Sequence, residues 1–331
     1  MNDAAFWEDR NVLVTGAGGF IGSHLAERLV REGARVRAMV HYNALGREGW
    51  LDASPHRKDM EVRAGDLCDR DSVRGAVKGV DTVFHLAALI GIPYSYQAPV
   101  SYVHTNIEGT MHVMQAVREE AARRVILTST SEVYGTARYV PIDEDHPLQG
   151  QSPYSASKIA ADKMAEAFHC SFELPMVIVR PFNTFGPRQS MRAVIPTIIA
   201  QCLRGETIKL GNLSPTRDMN YVDNTVDGFL HAAEAKDVEG RVINLGSGRE
   251  ISVGELVDMI GGITGAALRV DEETERKRPP QSEVERLLAD HTRAREWLGW
   301  EPSVSLEDGL ARTVAWIKEH PELYRAEGYV V

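Results

Sequence analysis

A tyrosine and a lysine four positions apart are the first residues of this sequence whose spacing suggests chemistry. Tyr154 and Lys158 begin and end the segment YSASK. Four residues make about one turn of an α-helix, so the two side chains would lie on one face. A lysine ammonium close to a phenol lowers the pKa of the phenol, and the resulting phenolate can take a proton from an alcohol. The pair therefore predicts the general base for an alcohol oxidation in which hydride leaves the same carbon atom.

Two more candidates precede this pair in the segment TSTSEVYG at residues 128–135. Thr130 carries a hydroxyl that can bond the same substrate oxygen, and Glu132 carries a carboxylate two positions later. We expect both residues at the end of one strand, where positions i and i+2 share a face, so that both side chains would point at the substrate. The alternative interpretation of Glu132 is a solvated acid at the strand end.

Three regularly spaced glycines occur near the start of the chain. Gly16, Gly19 and Gly22 follow the apolar segment NVLVT and overlap a helical pattern at residues 20–33. In a strand–turn–helix unit, such glycines permit a tight turn and close approach of the backbone to a pyrophosphate, which then faces the helix N-terminus. The segment predicts a dinucleotide site; a glycine turn without a ligand is the alternative.

The residues after the second predicted strand usually distinguish NAD from NADP, since an acid there favours NAD and an arginine favours NADP. Residues 38–43 read AMVHYN and contain neither, while Arg37 lies within the strand and Arg47 lies further on. Because a 2′-phosphate needs a positive partner, we expect NAD rather than NADP, and NADP is the alternative if Arg37 or Arg47 reaches the site. Asp66, after the third predicted strand, could accept a hydrogen bond from the adenine amino group and could also cap the next helix.

Apolar segments and helical patterns alternate through the first half of the chain and would position these candidates. The strands are predicted at residues 11–15, 35–40, 60–64, 80–86, 124–129 and 176–180, and the long helices at 20–33, 107–121 and 152–172. Repeated strand–helix–strand units predict an α/β fold with a Rossmann-type, doubly wound parallel sheet. Residues 1–180 would form this domain and carry the reactive residues.

The pattern changes after residue 181, because four prolines between residues 181 and 215 interrupt it. A smaller, mixed α/β substrate-binding lobe is predicted over residues 181–331, with an approximate boundary across which the chain can return. Its helices are predicted at 193–204, 224–235, 253–264, 292–298 and 306–320, and its short strands at 207–210 and 242–245.

The composition excludes several classes of protein. The 331 residues are 43% hydrophobic and 25% charged, and a net charge of -10 argues against a general nucleic-acid binder. Three widely spaced cysteines favour reduced thiols over a disulfide framework or a zinc site. The first residues lack the apolar run of a signal peptide, and no stretch approaches the ~20 apolar residues of a membrane span. We expect a cytoplasmic protein without a metal.

Characteristic segments are spread over nearly the whole chain. They are TGAGGFIGSHL at 15–25, GDL at 65–67, HLAA at 85–88, NIEGT at 106–110, TSTSEVYG, YSASK, RPFNTFGPRQ at 180–189 and RDMNYVDN at 217–224. With these segments the sequence resembles the extended short-chain dehydrogenase/reductase family of nucleotide-sugar epimerases, dehydratases and decarboxylases. The segments ALIGIPYSY, PLQGQSPYSASK, AVIPTII and LSPTRD are most similar to sugar 4,6-dehydratases of the legionaminic-acid pathway type.

This resemblance implies catalytic roles for the matching residues. Tyr154 would be the base of the oxidation, Lys158 its partner and a ligand of the cofactor ribose, and Thr130 the hydroxyl donor. Glu132 would remove the C5 proton of the sugar. Many dehydratases carry an aspartate at the position of Ser131, as the acid for the leaving hydroxyl. Dehydratases of the GDP-mannose type and decarboxylases that make UDP-xylose read Thr-Ser-Glu, as this chain does.

Other positions match those that bind the cofactor and the substrate in the family. Asn183 would bond the sugar or the diphosphate. Arg217 and Arg278 would bind the diphosphate, since paired guanidinium groups suit such a dianion, and Arg192 is a further candidate. Each arginine could instead be an ordinary surface residue. The cofactor would contact the glycine turn and the ends of the following strands, namely Gly16, Gly19, Phe20, Ile21, Gly22, Asp66, Leu67, Leu86, Ala87 and Ala88, together with Tyr154 and Lys158.

The reaction that we expect first is 4,6-dehydration of a nucleotide-linked hexose, with NAD recycled in each turnover. A 4-epimerase and a decarboxylase acting on a uronic acid are the alternatives within the family. A nucleotide sensor without catalysis is a further alternative, but it would have little use for Tyr154, Lys158 and Glu132 together.

The helices predicted at 107–121 and 152–172 carry apolar residues beyond a single stripe, and the corresponding helices pair in dimers of the family. We therefore expect a homodimer. The apolar residues concerned are Met111, Val113, Met114 and Val117 in the first helix, and Ile159, Met164 and Phe168 in the second.

Overall fold

The computed structural model describes residues 6–205, 207–266, 269–277 and 279–324. The strands in this part are β1 (Asn11–Thr15), β2 (Arg35–His41), β3 (Met60–Gly65), β4 (Thr82–His85), β5 (Arg124–Thr128), β6 (Met176–Pro181), β7 (Asn183–Phe185), β8 (Ile208–Leu210), β9 (Thr216–Tyr221), β10 (Val242–Leu245), β11 (Glu250–Ser252), β12 (Val270–Glu272) and β13 (Arg286–Leu287). The helices are α1 (Phe20–Arg31), α2 (Arg70–Val77), α3 (Ile92–Gln97), α4 (Pro99–Tyr102), α5 (Gly109–Glu119), α6 (Pro153–Phe172), α7 (Val194–Arg204), α8 (Val222–Glu234), α9 (Val253–Thr264), α10 (Thr292–Leu298) and α11 (Leu306–Glu319). None of these helices combines the length and the apolar composition that a membrane span needs.

Seven strands form the central sheet in the order β10-β6-β5-β4-β1-β2-β3, and every neighbouring pair is parallel. From β1 the chain first builds outward through β2 and β3, and then continues on the other side with β4. The carboxyl ends of β1 and β4 therefore lie side by side where the strand order reverses, with Thr15 opposite His85. The predicted Rossmann-type fold is confirmed, and sheets of this type bind ligands in the crevice at this point.

Alternation along the strands sorts the apolar side chains into two cores, one on each face of the sheet. Val12 and Val14 belong to the core that includes α1 and α8, whereas Leu13 and Val83 belong to the core that includes α2, α5 and α6. Every residue of β4 and β6 is buried. Burial on both faces explains the apolar run at residues 176–179 of β6, whereas β4 also buries the polar side chains of Thr82 and His85.

A second, four-stranded sheet is built around β9, which pairs antiparallel with β11 and parallel with β7 and β13. Strands β8 and β12 form a separate parallel pair. The prediction that residues 242–245 belong to the smaller lobe is wrong, because they form β10 and pair with β6 in the central sheet. The chain thus returns to the first sheet after it has built part of the second one.

Local backbone interactions shift several predicted boundaries. Most of the helix predicted at 107–121 is α5, which begins at Gly109. The residues directly before it, Val103–Glu108, form a π-helical segment. The helix predicted at 152–172 begins one residue later, because Ser152 is its N-cap in a reciprocal pair with Ser155. Strand β5 ends at Thr128, and Ser131–Tyr134 form a 3-10 turn where the end of a strand was expected.

The apolar residues expected to face a partner subunit are divided by the structure. Val113, Met114 and Val117 are at most 1% exposed and pack in the core beneath α5. The expectation that these three extend beyond the helix's inward stripe is therefore wrong. Met111 and Phe168 instead line an open groove of about 460 Å³ on α5 and α6.

Candidate active site

The glycine turn closely joins the ends of β1 and β4. Gly16 has a φ of +70°, and a Cβ there would lie 2.9 Å from the backbone nitrogen of Ala87. A Cβ at Gly22 would lie 2.2 Å from the carbonyl oxygen of Gly16. The Thr15 hydroxyl accepts hydrogen bonds from the backbone nitrogens of Leu86 and Ala87, each at 3.1 Å. Glycine is required at both positions, because any side chain would collide with the backbone.

The N-terminus of α1 opens directly after this turn. Gly19 precedes the helix without a side-chain cap, and the first turn, which includes Phe20 and Ile21, contains no acidic residue. Unsatisfied N–H groups and the positive end of the helix dipole attract a pyrophosphate. Together with the space left by the glycines, this terminus fits a dinucleotide held by Gly16, Gly19, Phe20 and Ile21.

Asp66 follows β3 on the same edge of the sheet. Its carboxylate accepts a hydrogen bond from the backbone nitrogen of Cys68 at 2.9 Å. Helix α2 is capped by Asp69, whose carboxylate accepts a hydrogen bond from a backbone N–H of the first turn. The interpretation of Asp66 as the helix cap is therefore wrong. Leu67 is buried, and Ala88 is half-buried on the loop after β4.

Tyr154 and Lys158 lie in the first two turns of α6 and are 7% and 4% exposed. The Nζ of Lys158 donates a hydrogen bond to the carbonyl oxygen of Thr128 at 2.7 Å. Burial lowers the pKa of Lys158 to about 8, and the charge of Asp162 opposes this shift. Helix α6 thus holds the amine of Lys158 against the last residue of β5.

The phenol of Tyr154 lies close to Thr130, Glu132 and Tyr102. Burial raises the pKa of Tyr154, a hydrogen bond with Thr130 lowers it, and the negative charge of Glu132 raises it. Desolvation is thus the largest influence on this pKa, and the contact with Thr130 opposes it. The ring of Tyr102 packs edge-on with its centroid 6.3 Å from that of Tyr154.

Glu132 reaches this site by a route that differs from the expected one. It lies in the 3-10 turn Ser131–Tyr134, so strand alternation does not place it beside Thr130. The turn begins because the Thr130 hydroxyl accepts a hydrogen bond from the Glu132 backbone nitrogen at 3.2 Å. Among the described residues, no hydrogen bond or ion pair engages the Glu132 carboxylate, which is half-buried. Ser131 is 2% exposed.

The predicted substrate residues are distributed over several elements. Asn183 lies in β7, and its Oδ1 is buried without a hydrogen-bond partner among the described residues. Arg217 lies buried in β9, where its guanidinium is 3.5 Å from the Glu283 carboxylate. Arg192 is exposed, and one of its terminal nitrogens lies 4.0 Å from where a Cβ of Gly91 would be. Arg278 lies outside the described residues.

His85, at the end of β4, is a structural residue. Its Nε2 lies 3.0 Å from the Thr110 hydroxyl, which itself donates to the carbonyl oxygen of Asn106. Its Nδ1 lies 2.9 Å from the Thr15 hydroxyl, which already accepts two backbone hydrogen bonds. The pattern assigns the proton to Nε2, since Thr110 must accept and Thr15 must donate. Burial lowers the pKa of His85 to about 3, so the ring is neutral.

Three residues beside the site were missed by the sequence analysis. Asp162 is fully buried one turn beyond Lys158, and the spacing of four residues was an available signal. Asn106 binds the backbone nitrogen and oxygen of Leu89 with its side chain and so fixes the loop after β4. Tyr102 donates a hydrogen bond to the Gly91 carbonyl oxygen, and no periodic pattern pointed to it.

Comparisons with known proteins agree over most of the chain. The sequence profile of the family described as GDP-mannose 4,6 dehydratase matches residues 13–313. A UDP-glucose 4-epimerase of Mycolicibacterium smegmatis is 35% identical over 92% of this chain and 98% of its own. A dTDP-glucose 4,6-dehydratase of Streptomyces griseus is 35% identical over 94% of each chain. A UDP-N-acetyl-alpha-D-glucosaminuronate decarboxylase of Bacillus cytotoxicus is 31% identical over 94% of this chain and 98% of its own.

Solved structures give the same result. An epimerase of Methanothermobacter thermautotrophicus superposes with a TM-score of 0.90 at 30% identity, covering 98% of this chain and 97% of its own. The dTDP-glucose 4,6-dehydratase of Streptomyces venezuelae, solved with NAD bound, superposes with a TM-score of 0.87 at 28% identity, covering 95% of this chain and 99% of its own. The chain therefore belongs to the extended short-chain dehydrogenase/reductase family of nucleotide-sugar dehydratases and epimerases.

Proposed function

We propose that this protein is a nucleotide-sugar 4,6-dehydratase, which converts a nucleoside-diphosphate hexose into the 4-keto-6-deoxy sugar. The observation that carries the proposal is the Glu132 carboxylate, which is close enough to the Tyr154 phenol to raise its pKa and has no partner among the described residues. Oxidation at C4 has no use for such a carboxylate, whereas elimination needs a base at the neighbouring C5.

The first step assigns the groups around Tyr154. The phenolate of Tyr154 takes the proton of the C4 hydroxyl, and the Thr130 hydroxyl bonds the same oxygen. Lys158, held by the Thr128 carbonyl at 2.7 Å, supplies a positive charge beside the cofactor ribose. A bound nicotinamide dinucleotide would accept the hydride from C4 and later return it to C6. Burial of Tyr154 and Lys158 would help to exclude water from the reacting atoms.

The second step belongs to Glu132. A C4 ketone makes the C5–H bond acidic, so a carboxylate can take that proton. The C6 hydroxyl then leaves with a proton as water, and a double bond forms between C5 and C6. Ser131 occupies the position where many dehydratases carry an acid, but at 2% exposure it is recessed. This sequence therefore relies on Glu132 for the proton transfers at C5 and C6.

The substrate would lie between the two sheets. The orphaned Oδ1 of Asn183 can accept a hydrogen bond from a sugar hydroxyl. Arg217 would bind the diphosphate. The diphosphate would compete with the Glu283 carboxylate for the guanidinium of Arg217. Arg278 would be the second diphosphate ligand. Arg192 lies beside Gly91 and Tyr102, near the reactive end of the site, and would bind the sugar portion.

A 4-epimerase and a uronic-acid decarboxylase remain the alternatives, because relatives named for both reactions are 35% and 31% identical to this chain. All three reactions begin with oxidation at C4, and they diverge at the next step. A nucleotide sensor would bind the dinucleotide without turning over any sugar.

One experiment separates these alternatives. The purified protein is incubated with UDP-, GDP-, dTDP- and CDP-hexoses and with a UDP-uronic acid, and the products are analysed by mass spectrometry. Loss of water supports the dehydratase, loss of carbon dioxide the decarboxylase, and unchanged mass with altered stereochemistry the epimerase. Absence of turnover on every sugar would favour the sensor.

The first prediction concerns the cofactor, which we expect to be NAD rather than NADP. The Arg37 guanidinium is already bound to Glu61 at 2.8 Å and to the carbonyl oxygens of Ala76 and Lys78. It is therefore not available for a 2′-phosphate. The dinucleotide released from the denatured protein is identified by mass. Recovery of NADP, or a higher affinity for it in calorimetry, would contradict this assignment.

The second prediction concerns Tyr154→Phe, which removes the base but keeps the ring. Sugar oxidation should fall by at least ~10²-fold, the lower range for general acid–base catalysis. Folding and dinucleotide binding should persist, as checked by thermal unfolding and calorimetry. Tyr139→Phe is the control, since Tyr139 is 45% exposed and its hydroxyl donates to the Asp143 carboxylate. A Tyr154→Phe rate within about tenfold of wild type is incompatible with the assigned role.

The third prediction concerns Glu132→Gln, which keeps the size of the side chain and removes its basicity. The variant should still oxidise the sugar, giving the absorbance of the reduced dinucleotide, while dehydrated product falls by ~10²-fold or more. Incorporation of solvent deuterium at C5 should fall with it. Glu166→Gln serves as the control, because Glu166 lies on α6 and pairs with Lys163. Near-normal dehydration by Glu132→Gln would show that another group removes the C5 proton, and would contradict the role assigned to Glu132.

The fourth prediction concerns assembly. We propose that α5 and α6 form a homodimer interface through the groove lined by Met111, Phe168 and Phe172, since Phe172 is 49% exposed. Light scattering at micromolar protein should give twice the chain mass, and Phe172→Glu should give the monomer mass. Leu323→Glu, at a residue 48% exposed elsewhere on the surface, should leave the dimer intact. A wild-type monomer would exclude this interface.

A further inference from the structure

We propose that Asp162 is a positioning residue that acts through Ser129 to fix the two groups contacting Lys158 and Tyr154. The proposal rests on the proposed oxidation of a sugar hydroxyl by Tyr154, but not on the fate of the resulting ketone. Asp162 itself touches neither substrate nor cofactor in this role.

The geometry around Asp162 joins three elements. Its Oδ2 accepts hydrogen bonds from Ser129 Oγ at 2.9 Å and from Arg180 Nη2 and Nε at 2.9 and 3.2 Å. Asp162 lies on α6 four residues after Lys158, Ser129 follows β5, and Arg180 lies in β6. Asp162 and Arg180 are 0% and 2% exposed. A single oxygen atom therefore connects the helix of Lys158 with the ends of two strands.

Ser129 lies between the residues that contact the reactive pair. The carbonyl oxygen of Thr128 accepts the hydrogen bond of Lys158 Nζ, and the hydroxyl of Thr130 bonds Tyr154. The backbone nitrogen of Ser129 donates to the Val179 carbonyl oxygen at 2.7 Å. Its backbone is thus held by β6 and its side chain by α6. A shift of the Ser129 backbone would move both Thr128 and Thr130, because they are its direct neighbours in the chain.

A buried ion pair at this position is not explained by stability alone. Apolar residues of similar volume commonly stabilise a core as well as or better than a buried pair. The pair extends into a further network, since Arg180 Nη1 donates to the Tyr134 hydroxyl at 2.9 Å and Tyr134 donates to Asn244 Oδ1 at 2.7 Å. Such directional contacts fix a geometry that apolar packing would leave free. Within this network, the bond from Ser129 to Asp162 holds the strand end carrying Thr128 and Thr130, whereas the Tyr134 hydroxyl links Arg180 to Asn244 of β10.

The charge of Asp162 also acts on the reactive pair directly. It raises the pKa of Lys158 and the pKa of Tyr154, although burial is the larger influence on both groups. Glu132 and Tyr102 face Tyr154 from other elements and also raise its pKa. Removing the Ser129 hydroxyl keeps the Asp162–Arg180 pair but takes away a hydrogen bond that lowers the pKa of Asp162. Any resulting loss of the Asp162 charge would lower the pKa of Tyr154, because that charge raises it. A shift of the Tyr154 ionisation to higher pH in a Ser129 variant therefore reports positioning and not this electrostatic change.

Ser129→Ala is the informative substitution. Replacing Asp162 or Arg180 would leave the other charge buried and unpaired and could unfold the protein. Ser129→Ala leaves this pair intact and removes only the link to the strand end. The matched control is Tyr134→Phe. Like Ser129, Tyr134 is buried, and its hydroxyl accepts a hydrogen bond from Arg180, the partner of Asp162, but does not contact Ser129.

The measurement is the rate of reduced-dinucleotide formation as a function of pH, in single turnovers of the holoenzyme with a sugar nucleotide that wild type oxidises. Ser129→Ala should slow this rate by ~10- to 100-fold, as expected for sub-ångström to ångström misplacement of reacting groups. The rising limb of its pH profile should move to higher pH, because the hydrogen bond of Thr130 lowers the pKa of Tyr154. Tyr134→Phe should keep the wild-type pH profile, even if its melting temperature falls.

Two results would overturn the inference. One is a wild-type rate and pH profile in Ser129→Ala. The other is an equal slowing of both variants without any shift of the limb, which would indicate a purely structural network. If wild type reduces the dinucleotide but forms no dehydrated product, the dehydratase proposal fails while this test still decides the role of Asp162.

A second measurement is used if the wild-type protein oxidises none of the sugars tested. The tyrosinate absorbance of the holoenzyme, minus that of its Tyr154→Phe counterpart, reports the ionisation of Tyr154 without substrate. Ser129→Ala should move this ionisation to higher pH, and Tyr134→Phe should not. An unchanged ionisation in Ser129→Ala would contradict the proposed link.

Discussion

Parallel pairing of β1 with β4 is the constraint on which the rest of the molecule depends. Thr15 lies opposite His85 in this pair, and its hydroxyl holds the two backbone nitrogens that follow β4. Because the strand order reverses here, the loops after both strands diverge and leave a crevice. The glycine turn fills one side of that crevice with backbone only. A bulkier turn at this point would close the space in which the dinucleotide is proposed to lie.

The reactive side chains depend on a different kind of contact. Lys158, Asp162 and Arg180 are charged residues with almost no exposed surface, and each is held by specific hydrogen bonds. Unpaired charges would be strongly destabilising in such surroundings. The network is therefore satisfied only when α6, β5 and β6 adopt one arrangement. The same burial that makes the Tyr154 phenol difficult to ionise would also exclude water from the proposed reaction.

Local sequence patterns predicted the elements whose burial follows from their own residues. The apolar periods of β1, β4 and α1 have direct equivalents in the structure, and the glycine spacing placed the turn between them. Strand β9 was missed because its sequence, TRDMNY, is polar, and its burial depends on distant partners. Asp218 in this strand accepts hydrogen bonds from the backbone nitrogens of Ser247, Gly248 and Ala289. The turn at Glu132 was missed for a related reason, since it depends on the Thr130 side chain and not on periodicity.

The return of the chain to form β10 has a consequence for how the protein can be divided. A fragment ending near residue 180 would contain the glycine turn, Tyr154 and Lys158, yet it would lack the strand that pairs with β6. The edge of β6 would then present unpaired backbone groups and an apolar face, both of which favour aggregation. The strand that covers β6 thus comes from the second half of the chain. An exchange of segments between relatives keeps this edge paired only when β10 is carried along with the first half.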